Sequence, residues 1–351
     1  MSRGRGTCID VASRFDVLAR IAAPESDPDF APGRQLPTEV IEERARSIIS
    51  TNSSPDVPFN RSINPYAGCE HGCIYCFARP SHGYRGLGPG LDFETRIIAK
   101  VNAPELLVQA LERPGYRPET LALGANTDPY QPVETHLRIT RRVLEVLADC
   151  RHPAVIITKS ASILRDLDLL AELARFRAVR VCLSVTTLDA RLARQLEPRA
   201  STPARRLEAL RQLSEAGIPT TVLASPMIPA LNDHELEAIL EAAAAAGARR
   251  AGIIAVRLPW EIAPLFEGWL DTHYPQRKAK VLNQIRSMRG GELYDSSWEQ
   301  RMSGRGPLAE LLAQRYAQAC RRFGLEDRDW ALETGHFRRP ARGQLALFDA
   351  D

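Results

Sequence analysis

Residues 64–82 read NPYAGCEHGCIYCFARPSH. Within that stretch Cys69, Cys73 and Cys76 stand at C-x₃-C-x₂-C spacing, three of the seven cysteines in a chain of 351 residues. The alternative is three buried or free thiols, but thiolates this close in sequence can converge on one metal centre. Gly68 and Gly72 let the loop curl around it, because glycine adopts backbone conformations that a Cβ disfavours. Two centres suit the segment. Zinc takes four ligands, and His71 or His82 would complete a Cys₃His set. An iron–sulfur cluster usually takes four cysteines; no fourth lies nearby, so a cluster here leaves one iron for an external ligand. The remaining Cys8, Cys150, Cys182 and Cys320 share no motif and read as small core hydrophobes or surface thiols.

Outward from the cysteines, short apolar runs alternate with helical patterns. The runs are 120–124 (TLALG), 154–158 (AVIIT), 179–185 (VRVCLSV), 219–224 (PTTVLA) and 250–256 (RAGIIAV), and another starts near Ser62. Helical segments fall at 104–111, 137–148, 164–174, 203–216 and 235–246. About six strand–helix units predict parallel strands with right-handed crossovers, in an open doubly wound sheet or an incomplete barrel. No Gly-x-Gly-x-x-Gly turn follows any run, which argues against a dinucleotide-binding sheet. In either closure the chemistry belongs at the carboxyl ends of the strands. That rule singles out Asn126, Thr127 and Asp128, then Thr158, Lys159 and Ser160, then Ser184, the 226–232 segment and Arg257.

With Tyr75 before its last cysteine, the segment has the form C-x₃-C-x-aromatic-C, and it resembles the radical S-adenosylmethionine (radical SAM) superfamily. The resemblance runs from about residue 62 to 324. It points to the branch containing spore photoproduct lyase and DNA repair photolyase-like proteins, through residues 62–82, GANTDPYQPVE (124–134), ITKS (157–160), LEPRASTPARRL (196–207) and SPMIPALND (225–233). The implied fold is α/β, a partial (β/α)₆ TIM-like barrel, in agreement with the units counted from the apolar runs. The implied cofactors are one [4Fe–4S] cluster held by Cys69, Cys73 and Cys76, and S-adenosylmethionine chelated to its fourth iron. One electron cleaves the sulfonium and leaves a 5′-deoxyadenosyl radical that abstracts hydrogen. Carried over by position, Tyr75 lies near the adenine, Asn126 and Thr127 line the methionyl end, Lys159 pairs with the cofactor carboxylate, and Ser184 reaches its ribose or amino group. In spore photoproduct lyase the position of Asn126 carries a cysteine that returns hydrogen to the repaired thymine. Its absence here puts that route in doubt.

Charge chemistry supports Lys159 independently. It is one of four lysines among 46 basic residues, and it follows a strand; a compact ammonium there can hold an anionic group. Asp128 and Glu134 read equally as helix caps or ribose acceptors. Arg199, Arg205 and Arg206 are candidates for an anionic substrate, although a helix's solvated face would also suit the last two.

The whole composition is that of a globular protein, 44% hydrophobic and 25% charged, with a net +3 too small to argue for nucleic acid. The odd cysteine number and the lack of a secretory signal point away from a disulfide scaffold and toward a reducing cytoplasm. No apolar run approaches the ~18–20 residues of a membrane helix. The expected organisation is an N-terminal arm (1–60), partly disordered and with one helix at 39–49, a core (61–290), a helical extension (291–335) and a basic tail (336–351). The basic pieces 2–6 and 338–342 are candidates for phosphate contacts. Gln344–Phe348 (QLALF) resembles the peptide by which bacterial repair proteins dock on the sliding clamp. The function expected is radical hydrogen abstraction, on a nucleic-acid base in DNA repair, with flavodoxin or ferredoxin as electron donor. The rivals are RNA modification and a non-catalytic clamp-associated adaptor with a structural metal site.

Overall fold

The computed structural model describes residues 4–9, 11–15, 37–326 and 331–340. Its strands are β1 (Glu39–Glu43), β2 (Ile49–Thr51), β3 (Arg61–Ile63), β4 (Tyr66–Ala67), β5 (Arg96–Lys100), β6 (Leu121–Leu123), β7 (Ala154–Thr158), β8 (Val179–Ser184), β9 (Thr220–Met227) and β10 (Arg250–Ala255). The main sheet has the order β10-β9-β8-β7-β6-β3-β2. From β3 to β10 its neighbours are all parallel, and β2 joins β3 antiparallel at the edge. These six parallel strands are the six apolar runs of the sequence. Among the described residues β10 and β2 are not paired with each other, so the barrel stays open.

Strands covered on both faces carry continuous apolar runs, and β8 is buried at every position. Helices Ala103–Glu112, Ile139–Asp149, Leu167–Arg175, Pro203–Glu215 and Leu236–Ala245 form the crossovers. Each lies at a predicted helical segment, and their leucines join the main core around β6 to β10. Pro307–Phe323 packs on the last of these helices and on β10, where Tyr316 donates to the Ala251 carbonyl at 2.8 Å. No described helix is long and apolar enough to cross a membrane.

The helix expected at 39–49 is not formed. Residues 39–43 are β1, paired in parallel with β5 in a second sheet whose order is β1-β5-β4, and Ile49–Thr51 is β2. Val40 and Ile41 are β-branched and favour a strand, Glu39 and Glu43 reach Arg96 and Arg85, and the ladder satisfies backbone groups that a short isolated helix would have left to water. Two helices that the sequence reading did not separate, Ile262–His273 and Lys278–Ser287, carry Leu265, Phe266, Trp269 and Val281 into a second core that also holds Cys73, Ile74 and Tyr75. The cysteine loop is thereby clamped between these helices and the barrel.

Candidate active site at the open end of the barrel

The loop after β4 is bent by two left-handed glycines, Gly68 at φ 80° and Gly72 at φ 67°. A Cβ on Gly68 would lie 2.8 Å from the His82 ring and 3.0 Å from the Arg96 carbonyl. Backbone bonds then fix the turns: Cys69 donates to Phe93 at 2.8 Å, Ile74 to Leu196 at 3.0 Å and Cys76 to Cys73 at 3.2 Å. Arg79, fully buried, clasps the loop from behind. It donates to the carbonyls of Gly72, Cys73, Pro89 and Gly90 and pairs with the equally buried Glu94 at 2.5 Å. Glu94 in turn accepts from the amides of Gly6 and Thr7 at 3.0 Å each. Arg5, from the basic piece 2–6, bonds the Glu94 carbonyl and Thr38 beside this loop.

Cys69, Cys73 and Cys76 line one cavity of about 230 Å³ together with Tyr75, Asn126, Lys159 and Ser184. It opens at the carboxyl ends of β6 to β10, and Arg257 also lines it. Seven of the eight site residues expected from sequence are thus brought together. Thr127 is not among them: it is buried, and its hydroxyl donates to the Tyr66 carbonyl at 2.7 Å. Asn126 is exposed at the mouth, its amide held by Asn64 Oδ1 at 3.0 Å.

Tyr75 is held from behind by a polar network. Its hydroxyl donates to Glu197, which also receives Thr186 at 2.6 Å and pairs with Arg206. Burial alone would raise the Glu197 carboxyl; Arg206 and Lys159 outweigh it and hold the group below its usual value. Arg206, expected on a solvated face or at a substrate, is 1% exposed. It donates to the carbonyls of Ser201 at 2.7 Å and Ser184 at 2.9 Å, so it fixes the backbone of a cavity residue. Arg199 is tied to Glu70 at 2.7 Å, and Arg205 is exposed.

Asp128 organises the next loop. It accepts from the Lys159 amide and the Thr158 hydroxyl at 2.7 Å each and from the Tyr130 amide at 2.9 Å, and it lies 3.3 Å from His71 Nδ1. Burial would raise its carboxyl; His71, Thr158 and the Lys159 amide overcome this and hold it down at about 2. Glu134 caps a helix: it accepts from the Thr140 amide at 3.0 Å at the start of Ile139–Asp149. Lys159 itself has its ammonium 5.9 Å from the centroid of the Tyr75 ring, with no carboxylate within ion-pair reach among the described residues. Burial would lower this ammonium, and its acidic neighbours Cys73, Glu197 and Asp128 more than offset it.

The donor set fits an iron–sulfur cluster with an open iron. Burial pushes the Cys69 thiol up to about 12 and the Cys73 thiol well above its usual value, with neighbouring negative charges adding to it. Such thiols are neutral alone and become thiolates on a metal. No three His, Cys, Asp or Glu side chains among the described residues close on a single-ion point, as zinc would need. His82 turns to the Arg96 carbonyl at 3.0 Å and His71 to Asp128. The polar network around Glu197, Arg79 and Glu70 escaped the sequence reading because its partners stand up to 129 residues apart.

Comparison with known proteins agrees with this geometry. The Radical SAM superfamily model matches residues 63–243. An uncharacterised protein of Mycobacterium tuberculosis (strain ATCC 25618 / H37Rv) is 37% identical over 222 residues, covering 63% of this chain and 65% of that protein. An uncharacterised protein of Methanocaldococcus jannaschii is 29% identical over 197 residues, 56% of this chain and 71% of its own length. Spore photoproduct lyase complexed with dinucleoside spore photoproduct has a similar fold, with TM-score 0.57 and 15% identity over 81% of this chain and 79% of that one. The superfamily's cofactors are a [4Fe–4S] cluster and S-adenosylmethionine. Over half its length, from the strand before the cysteine loop to the fifth crossover helix, this chain belongs to the radical SAM superfamily.

Proposed function

We propose that this chain is a radical enzyme that abstracts hydrogen from a nucleic-acid base in repair, with Cys69, Cys73 and Cys76 as its cluster ligands. The observation that carries the reading is the shared cavity: the three thiols, Lys159, Tyr75, Asn126 and Ser184 all face one space at the carboxyl ends of the strands. When bound, the cofactors supply one-electron cleavage of a sulfonium and a carbon radical for hydrogen abstraction.

The chain's own residues do the rest. Lys159, a cation in a mostly apolar cavity, holds the cofactor carboxylate. Tyr75, locked by Glu197 and packed with Leu265 and Phe266 in the second core, offers a rigid flat wall to the adenine. Ser184, whose carbonyl is fixed by Arg206, and Asn126, whose amide is fixed by Asn64, would hold the ribose and methionyl groups from the cavity wall. The substrate class rests on the fold's likeness to a lyase solved with a dinucleoside ligand. With Asn126 in place of a thiol, hydrogen return by a cysteine at that position is not open to this chain.

The test is spectroscopic. Protein reconstituted anaerobically binds iron and sulfide in equal amounts, and the electron paramagnetic resonance of its reduced cluster changes when S-adenosylmethionine is added. Cys69→Ala, Cys73→Ala and Cys76→Ala each abolish the signal. One zinc per chain with neither iron nor sulfide would refute the reading.

A further inference from the structure

Arg257 stands two residues beyond β10 and lines the wall of the cavity, and the chemistry assigned above to the cofactors does not use it. Its guanidinium carbon lies 4.5 Å from the centroid of Phe77, the residue after the last cysteine, and Phe77 is 44% exposed at the cavity lip.

Its basic neighbours are committed within the protein. Arg289 donates to the carbonyls of Val256 at 3.0 Å and Gln300 at 2.7 Å, and Arg301 pairs with Asp56. Asp56 also accepts from the Glu299 amide at 2.6 Å. Arg257 has no hydrogen-bond or carboxylate partner among the described residues. Burial, with the positive charge of Arg301, outweighs the favourable charges of Tyr294, Asp56 and Cys76 and lowers this guanidinium from its usual value.

The motif repeats around the same end. Arg14 lies 3.9 Å from the ring centre of Trp260, and Arg301 lies 5.6 Å from that of Trp298, next to the cavity residue Met302. Both tryptophans are more than half exposed. Aromatic rings interleaved with guanidinium groups are the platform on which unpaired bases stack, while arginine takes phosphate through two parallel hydrogen bonds. A peptide would satisfy the cation but has no need of three exposed rings.

We propose that Arg257 and Phe77 anchor the substrate, the guanidinium holding a phosphate of a nucleic-acid strand and the ring stacking on an unpaired base beside the cavity. The proposal deepens the reading of the cavity as a radical site and rests on it. Strand binding is measured separately from radical formation, so the two fail separately.

The experiment uses the full chain, reconstituted anaerobically, and labelled single-stranded dodecamers of DNA and of RNA with the same sequence. Fluorescence anisotropy follows binding across a salt series. Arg257→Ala is expected to weaken binding about tenfold and to reduce the slope of log affinity against log salt by about 0.7, the loss of one phosphate contact on a single strand. Arg257→Lys recovers part of the affinity, because it keeps the charge and loses the fork. Phe77→Ala also weakens binding about tenfold, but with the wild-type salt slope. Arg175→Ala, which removes an exposed charge on a crossover helix, controls for net charge. The tighter of the DNA and RNA dodecamers identifies the source of the strand. Equal losses from Arg257→Ala and Arg175→Ala would overturn the proposal, as would binding of neither dodecamer, or competition by an acidic peptide at equal affinity.

Discussion

Tyr75 meets its carboxylate partner 122 residues away in sequence, and that distance explains much of what single residues did not disclose. The cysteines, Lys159 and Asn126 were legible because spacing, scarcity and position at a strand end mark them. Glu197 and Arg206 stood in view within LEPRASTPARRL, yet a buried pair and a solvated helix face look alike until the fold decides. Thr127 shows the converse, a residue at the right position whose hydroxyl turns to the backbone of β4. Two outcomes belong at this scale. Glu197→Ala leaves the buried Arg206 guanidinium without its counter-charge and is expected to destabilise the fold by about 3–5 kcal/mol, read by urea denaturation. A loss no larger than that of an exposed glutamate would contradict the network. Lys159→Ala is expected to weaken S-adenosylmethionine binding by roughly 30-fold or more, the cost of removing one partner of a buried charge pair, measured by anaerobic calorimetry. Unchanged affinity would remove Lys159 from the cofactor site.

At the scale of elements, the period of the apolar runs fixed six parallel strands and their crossover helices, because strands buried on both faces leave little freedom of sequence. The stretch 39–49 was misread as a helix because five residues of mixed Glu, Val and Ile carry too little pattern, and pairing with β5 decided the matter. In the tail, Arg338 donates to the Asp149 carbonyl and Arg339 to those of Glu112 and Arg113, so both engage helix carboxyl ends; Arg342 lies outside the described residues. Between the same two helix ends lies His152, fully buried, with Nδ1 donating to the Pro153 carbonyl at 3.0 Å and Nε2 accepting from Tyr116 at 2.8 Å. Burial lowers its imidazole from 6.5 to about 4. The unfolded chain therefore takes up this proton first as pH falls, and stability contributed by the neutral ring declines between about 6.5 and about 4, by about 3 kcal/mol. Urea midpoints across that window are expected to fall in the wild type and to fall less in His152→Gln. Parallel curves for the two proteins would contradict the assignment.

For the whole molecule, an open barrel gathers its chemistry at one end. The cysteine loop, the ends of β6 to β10 and the helices that follow surround a single cavity, while the amino-terminal residues 4–7 brace the loop from the other side. The clamp peptide Gln344–Phe348 lies outside the described residues. As a proposal, deleting 344–351 abolishes capture of the chain by immobilised sliding clamp and leaves iron content intact; equal capture of both forms would reject docking through that peptide. The central claim is that this cavity generates a carbon radical from S-adenosylmethionine. Its most direct test is to reduce the anaerobically reconstituted chain in the presence of the cofactor and measure 5′-deoxyadenosine. The account predicts 5′-deoxyadenosine from the wild type and none from Cys73→Ala; a cluster-loaded wild type that yields none would contradict it.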